Sequence, residues 1–405
     1  MKTSIIISEK TINQAYIFSL ILILILLPFS LRLSNLAIII LATFWILSGD
    51  FKQKFKEIQI NWSKIRWLIF YFLILALSPL VSEGKTEGWV SLERHLSLLA
   101  FPLILATFKI NSKQLNFILA SFIISVLLVS VMGLIQTYTL YLSHQVNNSL
   151  LELNYYQWIF PQLINFHAPY LAIYLSTSGL ITLLWCINAK KKFKLRLILI
   201  GLLIFFNLVL AFTASRTAIV ANLFLVIAIL THLLIKNKQY LVLFLCFSFI
   251  LLFSYYILDS LPYLKDKFLS GSGESERFYL WRAAFLAWKD APIFGYGLCG
   301  ASEKIHNSFV SLGYPITFSH NFDPHNQFIA TALTTGLLGL ISLLLMLIIP
   351  AYKALRNGHI LLFAIILLFT GCFFTESVLF RQKGIVIFAL LYSMMILHPI
   401  DSENE

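Results

Sequence analysis

Charge is scarce in this chain of 405 residues. Asp, Glu, Lys and Arg together supply 12% of it, about half the share usual in a soluble globular protein, whereas hydrophobic residues supply 59%. That balance excludes a charged, water-facing surface wrapped around one core. Acidic residues are the scarcer sign, 18 against 30 Lys and Arg, and no Asp-x-Asp motif occurs. The inventory calls for no metal and no cofactor. Only four cysteines are present, Cys186, Cys246, Cys299 and Cys372, scattered along the chain, so no disulfide is expected. Internal repeats, low-complexity tracts and a soluble segment with its own core are all lacking. One membrane domain over residues 1–405 is the simplest organisation.

What remains is a succession of apolar runs, each about 15–25 residues long, as bilayer-crossing helices require. The expected fold is an all-α polytopic membrane protein with about twelve transmembrane helices: 15–31, 35–49, 66–82, 90–108, 115–139, 168–188, 195–213, 217–235, 239–258, 326–350, 359–375 and 383–398. The first run lacks a small-residue cleavage site and is followed at once by a second, unlike a removable signal peptide. Lys and Arg mark the cytoplasmic side. With the N-terminus placed there, Lys52–Arg66, Lys109–Lys113, Lys190–Arg196, Lys236–Lys238 and Lys353–Arg356 fall on one side and every alternate loop agrees. Both termini are then cytoplasmic. The net charge of +12 is accounted for by this topology and by membrane lipids, without a nucleic-acid partner. The outer side receives two long connections, about 140–167 and a larger, partly helical loop at 259–325. Function is expected there.

Three outer constellations carry chemistry. In "TASRTAIVAN" a cation stands on the side that disfavours it: Arg216 either snorkels to lipid phosphates with Ser215 as a helix cap, or clamps an anion at a helix N-terminus. In "GSGESERFYLWRAAFLAWKDAPIFGYGLCG" turn residues precede a helix that runs to about Asp290 and stops at Pro292. Trp281, Ala284 and Trp288 centre its apolar face, with Phe278 and Phe285 at the edge, at about 100° per residue. Arg277 leads that face and needs either a bound anion or an internal salt bridge. Arg282 and Lys289 point to the polar flank. "GYGLCG" follows no strand and reads as a turn. In "SHNFDPHNQF", Pro324 places His325 near the first turn of an apolar run, where it serves as a helix cap or as a general base kept neutral by desolvation and the helix N-terminus.

These stretches together, "SRTA", "R-x-x-x-W" with "P-x-x-G-x-G", and "H-N-Q-F" leading to "G-L-L-G-L", resemble the O-antigen ligase and polymerase superfamily over about residues 200–345. "FHAPYLAIYL" and "TESVLFRQKGIVIF" resemble segments of O-antigen ligase-like proteins of the Bacteroidetes. Thr334 and Thr335 stand where the family often has an acidic residue before the "G-x-x-G", which puts any role of that acid in doubt here. The resemblance implies an inner-membrane glycosyltransferase with its active site facing the periplasm. Its donor is an undecaprenyl-diphosphate-linked glycan, and its acceptor is lipid A-core (a ligase), a second lipid-linked glycan (a polymerase) or a protein. Arg216 and Arg277 are assigned to the diphosphate and His325 to the acceptor hydroxyl, with inversion and no metal. Ser215, Asn326, Glu376, His167 and Arg94 are supporting candidates. A transporter or flippase for a lipid-linked glycan is the competing class, but such proteins place ionisable groups at mid-membrane, whereas these crowd one rim.

Overall fold

A computed structural model describes residues 9–82, 85–143, 150–189, 192–269, 274–314 and 323–399. The turn expected at 271–273, Lys190 and Lys191 of the basic segment, and both chain ends lie outside the described residues. The described residues form seventeen α-helices: α1 (Glu9–Leu26), α2 (Leu31–Leu47), α3 (Phe51–Leu77), α4 (Lys85–Glu93), α5 (Ser97–Leu105), α6 (Ser112–Ser143), α7 (Leu150–Leu163), α8 (Ala168–Asn188), α9 (Phe193–Phe212), α10 (Arg216–Lys236), α11 (Tyr240–Ser260), α12 (Pro262–Leu269), α13 (Glu274–Asp290), α14 (Gly297–Ser311), α15 (Gln327–Arg356), α16 (Ile360–Phe373) and α17 (Gln382–Leu397). Among the described residues seven helices are long and apolar enough to cross a bilayer, and the four shorter apolar helices are α1, α2, α16 and α17. This is a polytopic all-α membrane protein.

Eleven of the twelve expected spans coincide with one helix each. The run at 90–108 does not. It is divided into α4 and α5 by turns in which the His95 and Leu96 amides bond to Leu92 and Glu93 carbonyls. A continuous helix would carry Glu93, Arg94 and His95 together into apolar surroundings, which is costly for charges. The break leaves Glu93 and Arg94 exposed, while α5, about half a span long, buries Leu98, Phe101 and Pro102 against α17 and α3. The third helix is longer than expected, because α3 begins at Phe51 behind an Asp50 cap. Its Lys54 turns back to bond Ser48 and lies beside the Trp45 and Phe51 rings, so this lysine is accommodated without a free buried charge.

The centre of the bundle is α17, in which Gly384–Met395 are all buried. Helices α3, α5 and α16 pack around it, and α16 in turn meets α8, α10 and α15. Helices α1, α2 and α6 form one flank; α11, touching mainly α10 and α12, stands at the other edge with no buried residue.

A break in α15 shapes the functional end. Gly336 adopts φ 65° and ψ −159°, interrupting the helix after Thr335. The freed groups are met by the segment after α13: the Tyr296 amide donates to the Leu333 carbonyl at 2.8 Å, and the Leu337 amide to the Pro292 carbonyl at 2.8 Å. Backbone approaches backbone so closely that a Cβ on Gly336 would lie 2.1 Å from the Ile293 oxygen, and one on Gly295 2.5 Å from the Leu333 oxygen. Glycine is required at both positions. The "GYGLCG" stretch is therefore a turn only as far as Tyr296; from Gly297 it is the first turn of α14.

Candidate functional site

The described ends of α8, α10, α15 and α17 that begin each helix, and the ends of α9, α11 and α16 that finish each, share one side of the bundle. The basic residues Lys192–Arg196, Lys236, Lys238, Lys353 and Arg356 lie at the opposite ends. On the first side a cavity of about 270 Å³ is lined by Arg216, Arg277, His325, Glu376, Lys267 and Ser215, with backbone and small side chains from the entries of α8 and α10.

Each wall is built by a distinct local device. Ala214 takes φ 51° just before α10, a left-handed conformation that costs a non-glycine residue about 1 kcal/mol or more, and the turn it makes delivers Arg216 as the first helical residue. The Arg216 guanidinium donates to the Lys267 carbonyl in the last turn of α12, so it caps that helix from the cavity. Ser215 occupies the N-cap position of α10 but makes no side-chain cap bond there. Arg277 projects from the packed face of α13, and Trp281, one turn on, donates its Nε1–H to the Pro324 carbonyl at 2.7 Å. The buried centre of that face is Leu280, Ala283, Ala284 and Ala287, so the expected centre on Trp281, Ala284 and Trp288 is rotated slightly. Phe278 and Phe285 are exposed, as are Arg282 and Lys289. The rotation follows from the neighbours: small residues let α13 lie close to α14 and α15, while the bulky rings turn outward.

His325 is not in the first turn of α15. Asn326 is the cap, its Oδ1 accepting from the Phe328 and Ile329 amides and its Nδ2 donating to the Phe374 carbonyl, so Asn326 is structural and does not line the cavity. His325 precedes it with φ 46°, half-buried. Its Nδ1 lies 3.5 Å from Glu376 Oε2, and Glu376 Oε1 lies 3.5 Å from the Arg277 guanidinium. Glu376 is itself buried in the connection between α16 and α17. The hydrogen bond from Nδ1 to Glu376 raises the His325 pKa above the ordinary imidazole value; desolvation opposes this, the Glu376 and Asp323 charges add to it and Arg277 subtracts. Desolvation alone would lower this value, as the expectation of a neutral base supposed; the Glu376 carboxylate outweighs it and turns the shift upward.

The remaining candidates divide. His167, the N-cap residue of α8, stands beside Ala168 and Pro169 of the lining and within electrostatic reach of Glu376 and His325, but does not line the cavity itself. Arg94 is exposed at the α4–α5 break and does not reach the cavity. Thr334 and Thr335 are buried, and their hydroxyls return to the Ala330 and Thr331 carbonyls at 2.8 and 2.9 Å. In this chain those positions serve the helix near its break. Sequence reasoning missed Lys267, Asp323 and the Thr217–Thr375 hydroxyl pair at 2.8 Å, which ties α10 to the α16–α17 connection. Asp323 had one available signal, a carboxylate two residues before the histidine; Lys267 had none beyond its outer location.

Within the lining three cations, Arg216, Lys267 and Arg277, face one carboxylate, Glu376. An excess of positive charge around a small cavity suits a polyanion, and guanidinium groups suit phosphate oxygens in particular.

The chain's similarity to known proteins lies over this region. The sequence model of the family described as O-Antigen ligase matches residues 199–344, from within α9 through α14 to the first part of α15. A protein described as uncharacterized, from Haemophilus influenzae, is 35% identical over 81 residues, 20% of this chain and 20% of the relative, so the match spans about one fifth of that protein's length. The family match includes Arg216, Arg277 and His325. Glu376 and His167 lie outside it and are joined to it by the fold.

Proposed function

We propose that this protein is a glycosyltransferase of the bacterial inner membrane, with cytoplasmic termini and a periplasmic cavity, that moves a glycan from undecaprenyl diphosphate to lipid A-core. The observation that carries the reading is the convergence of Arg216, Arg277 and His325, drawn from three separate elements, on one cavity at the end of the bundle opposite its basic segments. A lipid diphosphate keeps its tail in the bilayer and presents its sugar just outside, at the level of such helix ends.

Arg216 and Arg277 hold the diphosphate, with Lys267 adding a third positive charge. Donor binding draws Arg277 away from Glu376, because a diphosphate offers more charge than one carboxylate. The acceptor hydroxyl oxygen then attacks the anomeric carbon as the bond from that carbon to the phosphate oxygen breaks. The hydroxyl proton passes to Nε2 of His325, Nδ1 being turned to Glu376, and the lipid diphosphate leaves as an anion held by the arginines. Attack opposite the leaving group inverts the anomeric centre. Glu376 stabilises the imidazolium that forms.

The test supplies purified protein in liposomes with a lipid-diphosphate glycan, a chelator and one acceptor at a time. Elongation of lipid A-core is the expected result. Elongation of a second lipid-linked glycan instead would make the protein a polymerase, and donor translocation without any new glycosidic bond would make it a flippase. Loss of transfer in chelator, restored by magnesium or manganese, would sink the arginine account of the leaving group.

A further inference from the structure

We propose that Asp323 is the positioning residue of His325, holding the backbone bend that presents the imidazole to the cavity and joining that bend to the segment that bears Glu376. The inference rests on the reading of His325 as the proton acceptor.

One Asp323 oxygen does both jobs. Oδ1 accepts from the His325 backbone amide at 2.9 Å and from the Ser377 hydroxyl at 2.6 Å, while Oδ2 stands 3.8 Å from the Arg381 guanidinium. A carboxylate bonded to the amide two residues on is the side-chain mimic of a backbone turn, and here it closes over a histidine at φ 46°. A left-handed histidine persists only where its surroundings hold it. Pro324, between the two, is pinned on its other side by Trp281. With Pro324 fixed and Asn326 locked as the helix cap, the direction of the imidazole is set by Asp323 from behind and Glu376 in front. Ser377 is the residue next to Glu376, so the same carboxylate also keeps base and partner in register across two segments 54 residues apart.

The two contributions of Asp323, acceptor geometry and negative charge, are separable. Asparagine at 323 keeps an oxygen for both hydrogen bonds and removes the charge; alanine removes both. The groups facing His325 are Glu376 from the α16–α17 connection, Arg277 from α13, His167 at the entry of α8 and Asp323 itself, with Arg216 and Lys267 across the cavity. Asp323 and Glu376 favour the imidazolium; Arg277 opposes it.

The experiment uses full-length protein in one detergent, with Asp323→Asn, Asp323→Ala and His325→Ala. Diethylpyrocarbonate modification of the His325 peptide, followed by mass spectrometry against pH, gives the histidine's titration midpoint independently of transfer. Single-turnover transfer is measured over the same pH range. Asp323→Asn is expected to move the midpoint and the acid limb of transfer together to lower pH, with donor affinity unchanged. Asp323→Ala is expected to lower the midpoint and also to reduce transfer about 10–100-fold at every pH, the effect of a misplaced reacting group. Wild-type transfer in Asp323→Ala overturns the proposal, and so does a plateau loss in Asp323→Asn, which keeps both hydrogen bonds, as large as that in Asp323→Ala. If Asp323→Ala does not fold, Ser377→Ala, which removes only the tie to the segment bearing Glu376, still decides: wild-type transfer with an unmoved midpoint there overturns the proposal. Full transfer by His325→Ala would instead overturn the proton-acceptor reading, leaving the modification midpoints to report on Asp323 alone.

Discussion

Helices α17 and α11 are both runs of leucine, isoleucine and phenylalanine, yet the first lies at the centre of the bundle and the second has no buried residue. Lipid tails are as apolar as leucine, so a hydrophobic face gains little by turning from lipid to protein, and apolarity leaves the two positions undecided. Close packing decides them. At the entry of α17 a Cβ on Gly384 would lie 2.2 Å from the Val378 carbonyl oxygen, and Tyr392 donates to the Met346 carbonyl on α15. Helix α11 has neighbours mainly in α10 and α12. The cavity spans this contrast. One wall, His325 and Glu376 with Asp323 bonded behind them, is tied to the α16–α17 core; the other, Arg216 and Lys267, belongs to α10 and to α12 at the end of the peripheral helix.

Substitutions on the two walls should therefore fail differently. On the core wall, His325→Ala is expected to lose about 10²–10⁴ in turnover while binding the lipid donor normally, read by donor binding and single-turnover transfer side by side. Near-normal turnover would reduce His325 to a bend before the helix cap. On the peripheral wall, Arg216→Ala should cost donor affinity, about 2–5 kcal/mol, with lysine rescuing poorly because it lacks the planar fork. Arg277→Ala, between the walls, should do the same. Arg216→Ala should in addition expose α12 to protease, since its guanidinium holds the Lys267 carbonyl; equal protection of Arg216→Ala and Arg277→Ala would erase that distinction.

Gly336→Ala tests what joins α13 to the core. The new methyl meets the Ile293 carbonyl in a left-handed backbone, so a loss of about 1–3 kcal/mol in stability is expected, seen as earlier thermal unfolding together with weaker transfer. A smaller effect is expected from Glu376→Gln. The raised His325 pKa means that the base form gains as pH rises through that value, so wild-type transfer should increase from pH 6 toward pH 8. Removing the carboxylate charge lowers the pKa, so the acid limb should move to lower pH with a weaker base; an unmoved limb would detach Glu376 from the chemistry. Arg282→Ala, on the exposed flank of α13, should change transfer by no more than about 2-fold.

Much of the site was legible because it is written in short local terms. An arginine at the mouth of an apolar run, an arginine leading one face of a loop helix and a histidine before another run can each be placed by periodicity. Asp323 and Lys267 were not legible in that way. Asp323 acts through Ser377, 54 residues later, and Lys267 enters through its place at the end of α12. The direction of the His325 pKa is hidden for the same reason: local rules weigh a helix terminus and desolvation, but Glu376, 51 residues away, raises it. The division of the run at 90–108 also escaped, although Arg94 and His95 were visible inside it.

The sequence by itself determined that the chain crosses a membrane repeatedly, that its basic loops gather on one side, and that two arginines and a histidine lie at helix entries on the other, because hydropathy, charge and helical period are summed over neighbouring residues. Only the tertiary structure decided that α17 is central and α11 peripheral, that α15 breaks at Gly336 to receive the loop after α13, and that Glu376 and Asp323 stand around His325. Those outcomes depend on how closely backbones approach and on which buried polar groups find partners, and both are properties of segments far apart in the chain.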